Sequence, residues 1–158
     1  MPKGEIRNVK VETTVNMVQQ GKSAYTYRER KVSAQDRSYH LFDYPRQFLM
    51  KPDIVVKRKR DGAVFVLDTK WKLLSQAKAN YGISQADMYQ MYAYQKKYKA
   101  ENITLLYPAT DTLNTARHIP FQSNDGVFVT ARFIDLFNLP LSFFMITEEM
   151  KIEEQCVN

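Results

Sequence analysis

At 158 residues, 44% of them hydrophobic and 25% charged, the chain has the length of a single domain and enough apolar content for a real core. No apolar run reaches the length of a membrane span, and the N-terminus lacks the basic-then-apolar layout of a signal peptide, so a soluble, cytoplasmic protein is expected. The net charge is +6, but residues 148–158 hold four Glu and one Lys; residues 1–147 therefore keep 22 of the 23 basic and 13 of the 17 acidic side chains, a net of +9. A basic body of this kind suits a polyanionic partner such as nucleic acid, because neutralised phosphates release counterions. It is also compatible with a merely well-solvated surface.

Several chemistries drop out at once. Cys156 is the lone cysteine and His40 and His118 the only histidines, too few for a structural zinc site or an internal disulfide. No phosphate-cradling glycine loop and no nucleophile elbow is present, so no nucleotide is expected on this chain.

In chain order, "VETTVNMVQQGK" reads as a short helix ended by Gly21, and "SAYTYRERKVSAQ" as a half-exposed strand. "DRSYHLFDYPRQ" reads as loop. "FLMKPDIVVKRK" reads as a strand whose Pro52 marks an edge or a bulge. "RDGA" is a turn of the two-residue hairpin type, and "VFVLDTKW" is the returning strand. After a loop through "LLSQAKANYG", Ser84 opens the clearest helix, "SQADMYQMYAYQKKYKA", with Asp87 as a variant capping box. "NITLLYPAT" is a fully apolar, interior strand, residues 110–125 read as loop, and "GVFVTARFIDLF" as a last strand or strand-helix. The order predicts one α/β domain over residues 1–147, a mixed sheet flanked by helices, followed by an acidic tail over 148–158, exposed or helical.

The informative stretch is "KPDIVVKRKRDGAVFVLDTKWK". Strand alternation puts Val64, Val66, Asp68 and Lys70 on one face, and the hairpin folds Asp53 back towards Asp68. Two carboxylates and one amine then meet at one end of a hairpin. Such a trio suits phosphodiester hydrolysis: Asp53 and Asp68, with a backbone carbonyl at Thr69, supply hard oxygen ligands for Mg²⁺, and Mn²⁺ is able to substitute. Lys70 is placed to orient or deprotonate a water or to stabilise developing charge. The plainer alternative is a surface Asp68–Lys70 ion pair that arose by chance.

On the helix, Asp87, Gln90 and Tyr94 fall on one stripe, although Met88, Met91, Tyr92 and Gln95 also make an ordinary packing face. Lys57, Arg58, Lys59 and Arg60 crowd the hairpin turn, and Lys72 follows the acidic motif. These five are the candidates for contacts to phosphate, with a solvated turn as the alternative. Lys96, Lys97 and Lys99 end the helix, where cations suit the macrodipole without any ligand.

"PDIVV…VFVLDTKWK" resembles the PD-(D/E)xK nuclease core, and with "KVSAQD" before it and "QADMYQMYAY" after it, more narrowly resembles McrC, the nuclease subunit of McrBC-type modification-dependent restriction systems. The resemblance covers roughly residues 25–110. It implies a restriction-endonuclease-like fold, Mg²⁺-dependent DNA cleavage with Asp53 and Asp68 as metal ligands and Lys70 beside the attacking water, and a McrB-like AAA+ GTPase as partner. Related RecB-type nucleases carry a Gln-x-x-x-Tyr after D-x-K, which Gln90 and Tyr94 match; the resemblance implies contact with Lys70 or the DNA backbone. The family places a glutamate before the first motif strand, and no Leu-Phe-Glu-type segment is present; Glu12 is the remaining candidate for that ligand. McrC-like chains also have a large N-terminal region for which this sequence has no room, so a truncated or reduced relative is expected. Two further readings stay open: a DNA-binding or assembly module that keeps the fold without catalysis, and a nuclease acting on RNA or single strands.

Overall fold

The computed structural model describes residues 30–152, with the side chains of 143 and 147–152 left aside. The expected helix near residues 11–22, the first half of the expected strand over 23–35, and Glu12 lie outside the described residues.

Among the described residues, eight strands and two α-helices follow in order: β1 (Arg30–Ala34), β2 (His40–Asp43), β3 (Arg46–Leu49), β4 (Ile54–Arg58), β5 (Val64–Thr69), α1 (Gln85–Tyr98), β6 (Asn102–Pro108), β7 (His118–Gln122), β8 (Phe128–Ile134) and α2 (Leu139–Ile152). Six strands form one mixed sheet in the order β1-β4-β5-β6-β8-β7. β1, β4 and β5 pair antiparallel; β5, β6 and β8 run parallel; β7 returns antiparallel on β8. The sheet is flanked by helices, as the α/β reading required.

Alternation along β5 explains the two cores. Val66 packs with Val55, Met91, Tyr94, Ile103 and Leu105 on the α1 side, while Phe65 and Leu67 pack with Val56, Leu106, Ile134 and Ile146 on the α2 side. β6 is buried along nearly its whole length, which accounts for its continuous apolar text. Ser84 caps α1 by accepting from the Asp87 amide at 3.0 Å, and Lys99 ends it in the left-handed conformation.

Four sequence expectations need correction. The segment read as loop from Asp36 forms a separate two-stranded hairpin, β2–β3, turning through a cis Tyr44–Pro45 bond. The strand expected over 48–59 is two strands, β3 and β4, and Pro52 lies between them; β4 is interior, so Pro52 marks no edge. The hairpin turn is wider than two residues, because Asp61 accepts from the Ala63 amide and holds Arg58, while Gly62 takes a positive φ of 75°. The loop expected over 110–125 contains β7, whose polar alternation "HIPFQ" suits an edge strand with one exposed face.

Candidate functional site

The site starts from the β4–β5 register. Ile54 faces Leu67, so Asp53 and Asp68 stand one step further on, at the end of the hairpin away from its turn and on the α1 side of the sheet. The Asp53 carboxylate is tied down by Thr69, whose amide donates to Oδ2 at 2.9 Å and whose hydroxyl donates to the same oxygen. Asp68 is only 5% exposed.

Lys70 joins the strand end to α1. Its Nζ lies 2.9 Å from Asp68 Oδ2 and 3.2 Å from Asp87 Oδ1, and donates to Gln90 Oε1 at 3.0 Å. Gln90 Nε2 then donates to the Tyr94 hydroxyl at 3.0 Å. Lys72 Nζ sits 3.6 Å from the other Asp87 oxygen. The Lys70 backbone amide donates to the Leu106 carbonyl at 2.9 Å, extending the parallel β5–β6 ladder past Thr69. Six residues singled out in the sequence, Asp53, Asp68, Lys70, Asp87, Gln90 and Tyr94, are thus brought together, with Lys72 beside them.

The charges are strongly coupled. Burial pushes the Asp68 carboxyl above its ordinary value, against the pull of Lys70, and the Asp53 charge adds to the rise. For Lys70 burial acts downward, but Asp68 and Asp87 outweigh it and hold the ammonium above its usual value. Tyr94 is pushed up to about 12, chiefly by burial and then by the Asp68 charge. It is 3% exposed, so it packs in the core while its hydroxyl accepts from Gln90; Tyr92, expected on the packing face, is instead 42% exposed.

This donor set fits a hard divalent cation. Mg²⁺ needs only one or two carboxylates, with water and substrate oxygens completing its shell, and Asp53 and Asp68 offer two from a rigid sheet. The hydrogen bonds to the Asp53 carboxylate both fall on Oδ2. A buried carboxylate with a raised pKa also gains from a nearby cation. Among the described residues, no group of three or more His, Cys, Asp or Glu converges on one point.

The turn cluster lies elsewhere. Lys57, Arg58, Lys59 and Arg60 sit at the opposite end of the hairpin, roughly 15 Å from the acids at about 3.3 Å per residue. Arg58 is buried there: its guanidinium contacts Asp61 at 2.6 Å and lies over the Phe65 ring, 5.4 Å from the centroid. Lys57, Lys59 and Arg60 are exposed.

Sequence reasoning missed three contributors. The Thr69 side chain anchors Asp53, although alternation assigns it to the other face. Tyr107, fully buried on β6, carries a hydroxyl with no hydrogen-bond partner; burial first, then the charges of Asp87 and Asp68, raise its pKa. The β2–β3 hairpin brings Phe48 and Leu41 alongside α1, next to Gln90 and Tyr94. The tyrosine-rich helix text was the available signal for a lined cleft.

Fold and site together define an α/β protein whose mixed sheet presents paired aspartates and a lysine, spaced as Pro-Asp and Asp-x-Lys, at one strand end. A family model described as "McrBC 5-methylcytosine restriction system component" matches residues 12–108, and the chain belongs to that family. No curated protein matches it. No helix among the described residues is long and apolar enough to cross a membrane.

Proposed function

We propose that this chain is the DNA-cleaving component of a McrBC-type restriction system, a Mg²⁺-dependent endonuclease working in the cytoplasm with a McrB-like AAA+ GTPase. The observation that carries the reading is the convergence of Asp53, Asp68 and Lys70 at one strand end, with Lys70 held by Asp87 and Gln90. Family membership supports the restriction-system role.

Asp53 and Asp68 are the residues that would hold the cation. When bound, Mg²⁺ offsets the negative charge that grows on the phosphate during hydrolysis. The rest falls to the chain itself. Lys70 presents an ammonium to a phosphate oxygen or to the attacking water, and Asp87 and Gln90 fix its position. Tyr94 holds Gln90 in place, and Thr69 keeps Asp53 aimed. Lys72 and the exposed Lys57, Lys59 and Arg60 bind the phosphate backbone flanking the cut.

Nicking of supercoiled plasmid in Mg²⁺ tests the reading. Wild type is expected to cut and Asp68→Ala to lose at least a hundredfold in rate, in line with the loss of an electrostatic or metal-holding group. Equal rates for the two proteins would remove Asp68 from the chemistry.

A second reading is a non-catalytic DNA-binding or assembly module. It is favoured by Asp87 being engaged with Lys70 and Lys72, so that among the described residues no group of three acids converges to hold a metal. It predicts DNA binding that is indifferent to Mg²⁺ and to Asp68→Ala, with no heat on calorimetric titration of Mg²⁺. A measurable, Asp68-dependent heat would rule it out.

A further inference from the structure

Beside the catalytic cluster runs a cleft of about 510 Å³ between the β2–β3 hairpin and α1. Its size falls in the range of about 300–1,000 Å³ usual for small-molecule-sized sites, room for a planar ring and its sugar. Met50 and Tyr94 are buried within it; Phe48, 68% exposed, and Tyr89, 66% exposed, stand at its rim from the hairpin and the helix. Lys51 and Gln90 also line it.

We propose that this cleft receives one unstacked nucleobase of the strand being cut, with Phe48 and Tyr89 as the stacking rings. The proposal rests on the nuclease reading, which places a phosphate at Lys70. Gln90 and Tyr94 line the cleft and also form the relay that holds Lys70, so a strand with its phosphate at Lys70 carries a neighbouring base to the cleft mouth. Lys51 puts a cation on the same path, matching a polyanion better than an apolar protein segment. Aromatic faces accept any base, and recognition by stacking on exposed rings is the common mode for unpaired strands.

The backbone points the same way. Phe48 takes φ 61°, a left-handed conformation that a bulky residue rarely adopts. Residues kept in such conformations gather at ligand clamps. An exposed phenylalanine held there contributes little to the core.

The test measures binding without cleavage. A fluorescein-labelled single-stranded DNA oligonucleotide is titrated by anisotropy in EDTA, with an abasic nucleotide moved through it one position at a time. One abasic position is expected to weaken binding to the wild type by about tenfold, the scale of one base–aromatic stack. Phe48→Gly, whose new residue tolerates the left-handed backbone, is expected to weaken binding of the intact strand as much and to lose the abasic effect. Its melting temperature should not fall, which separates ring loss from unfolding.

If no abasic position matters, or Phe48→Gly binds like wild type, the cleft is not a base site. A protein partner is then its occupant. The two readings fail separately. A protein that never cuts but keeps the abasic effect loses the nuclease reading and keeps the cleft. One that cuts in Mg²⁺ without any abasic effect does the reverse.

Discussion

Asp68 and Lys70 make each other's burial tolerable. Removing the amine alone leaves a carboxylate that is 5% exposed without its ion-pair partner. Lys70→Met is therefore expected to cost about 2–3 kcal/mol, below the full value for a buried pair because the Lys70 side chain is 20% exposed. Asp68→Asn should cost less, since Lys70 keeps Asp87 and Gln90. Urea unfolding of both variants in EDTA measures this, and equal losses would show that burial of Asp68 is not what makes the pair matter. The pairing was legible in the sequence because it depends on local rules, face alternation and hairpin length. Arg58 was not read in the same way. "KRKR" looks like one basic cluster, yet alternation sends Arg58 to the face opposite Lys57, where Asp61 and Phe65 receive it.

At the level of elements, α1 was readable from its cap and its helical stripe, and β6 from its unbroken apolar run. The β2–β3 hairpin was not. Asp43 and Pro45 mark a turn, but both flanking strands stay largely exposed, so no buried face imprints alternation on them. Nor did the sequence indicate what docks the β7–β8 turn. Gln95, buried on α1, donates to the Gly126 carbonyl at 3.2 Å and accepts from the Phe128 amide at 2.7 Å. One side chain thus satisfies two main-chain groups at the start of β8. Gln95→Ala is expected to destabilise by about 1–2 kcal/mol, because both main-chain groups lose their protein partner and the apolar contacts of a buried side chain go with it. Thermal unfolding should show a drop of several degrees, about 2–4 °C per kcal/mol at this chain length. An unchanged melting temperature would mean that water replaces the amide at no cost.

Across the whole molecule, the exposed cations of the hairpin turn stand apart from the paired aspartates. Asp53 and Asp68 occupy one end, and the exposed Lys57, Lys59 and Arg60 the other. Across the β1–β4 pair, Lys31 stands directly opposite Lys57, and both are exposed. Like charges in register repel, and a polyanion laid over that end relieves them. If these residues touch phosphates, Lys57→Ala combined with Lys59→Ala lowers the slope of log affinity against log salt by about 1.8 on duplex DNA, roughly 0.9 per contact. Filter binding over a range of salt concentrations reads this slope, and an unaltered slope assigns the turn to solvent instead. The sequence disclosed the excess of positive charge and its crowding at the hairpin turn, but not the placing of Lys31 opposite Lys57, which is set by how the strands pair.

The bond from the Lys70 amide to the Leu106 carbonyl makes the site lysine part of the central parallel pair. Moving it means unzipping strands buried beneath both helices. If the chain cleaves DNA as proposed, a division of labour between protein and substrate follows from that burial. A duplex that came to this strand end for cleavage would meet a fixed anvil, and the adjustment that brings a phosphate to Lys70 would have to come from the nucleic acid. On the proposed nuclease function, sequences that kink or fray cheaply would be cut in preference to stiff ones, through mechanics alone and without a single base being read.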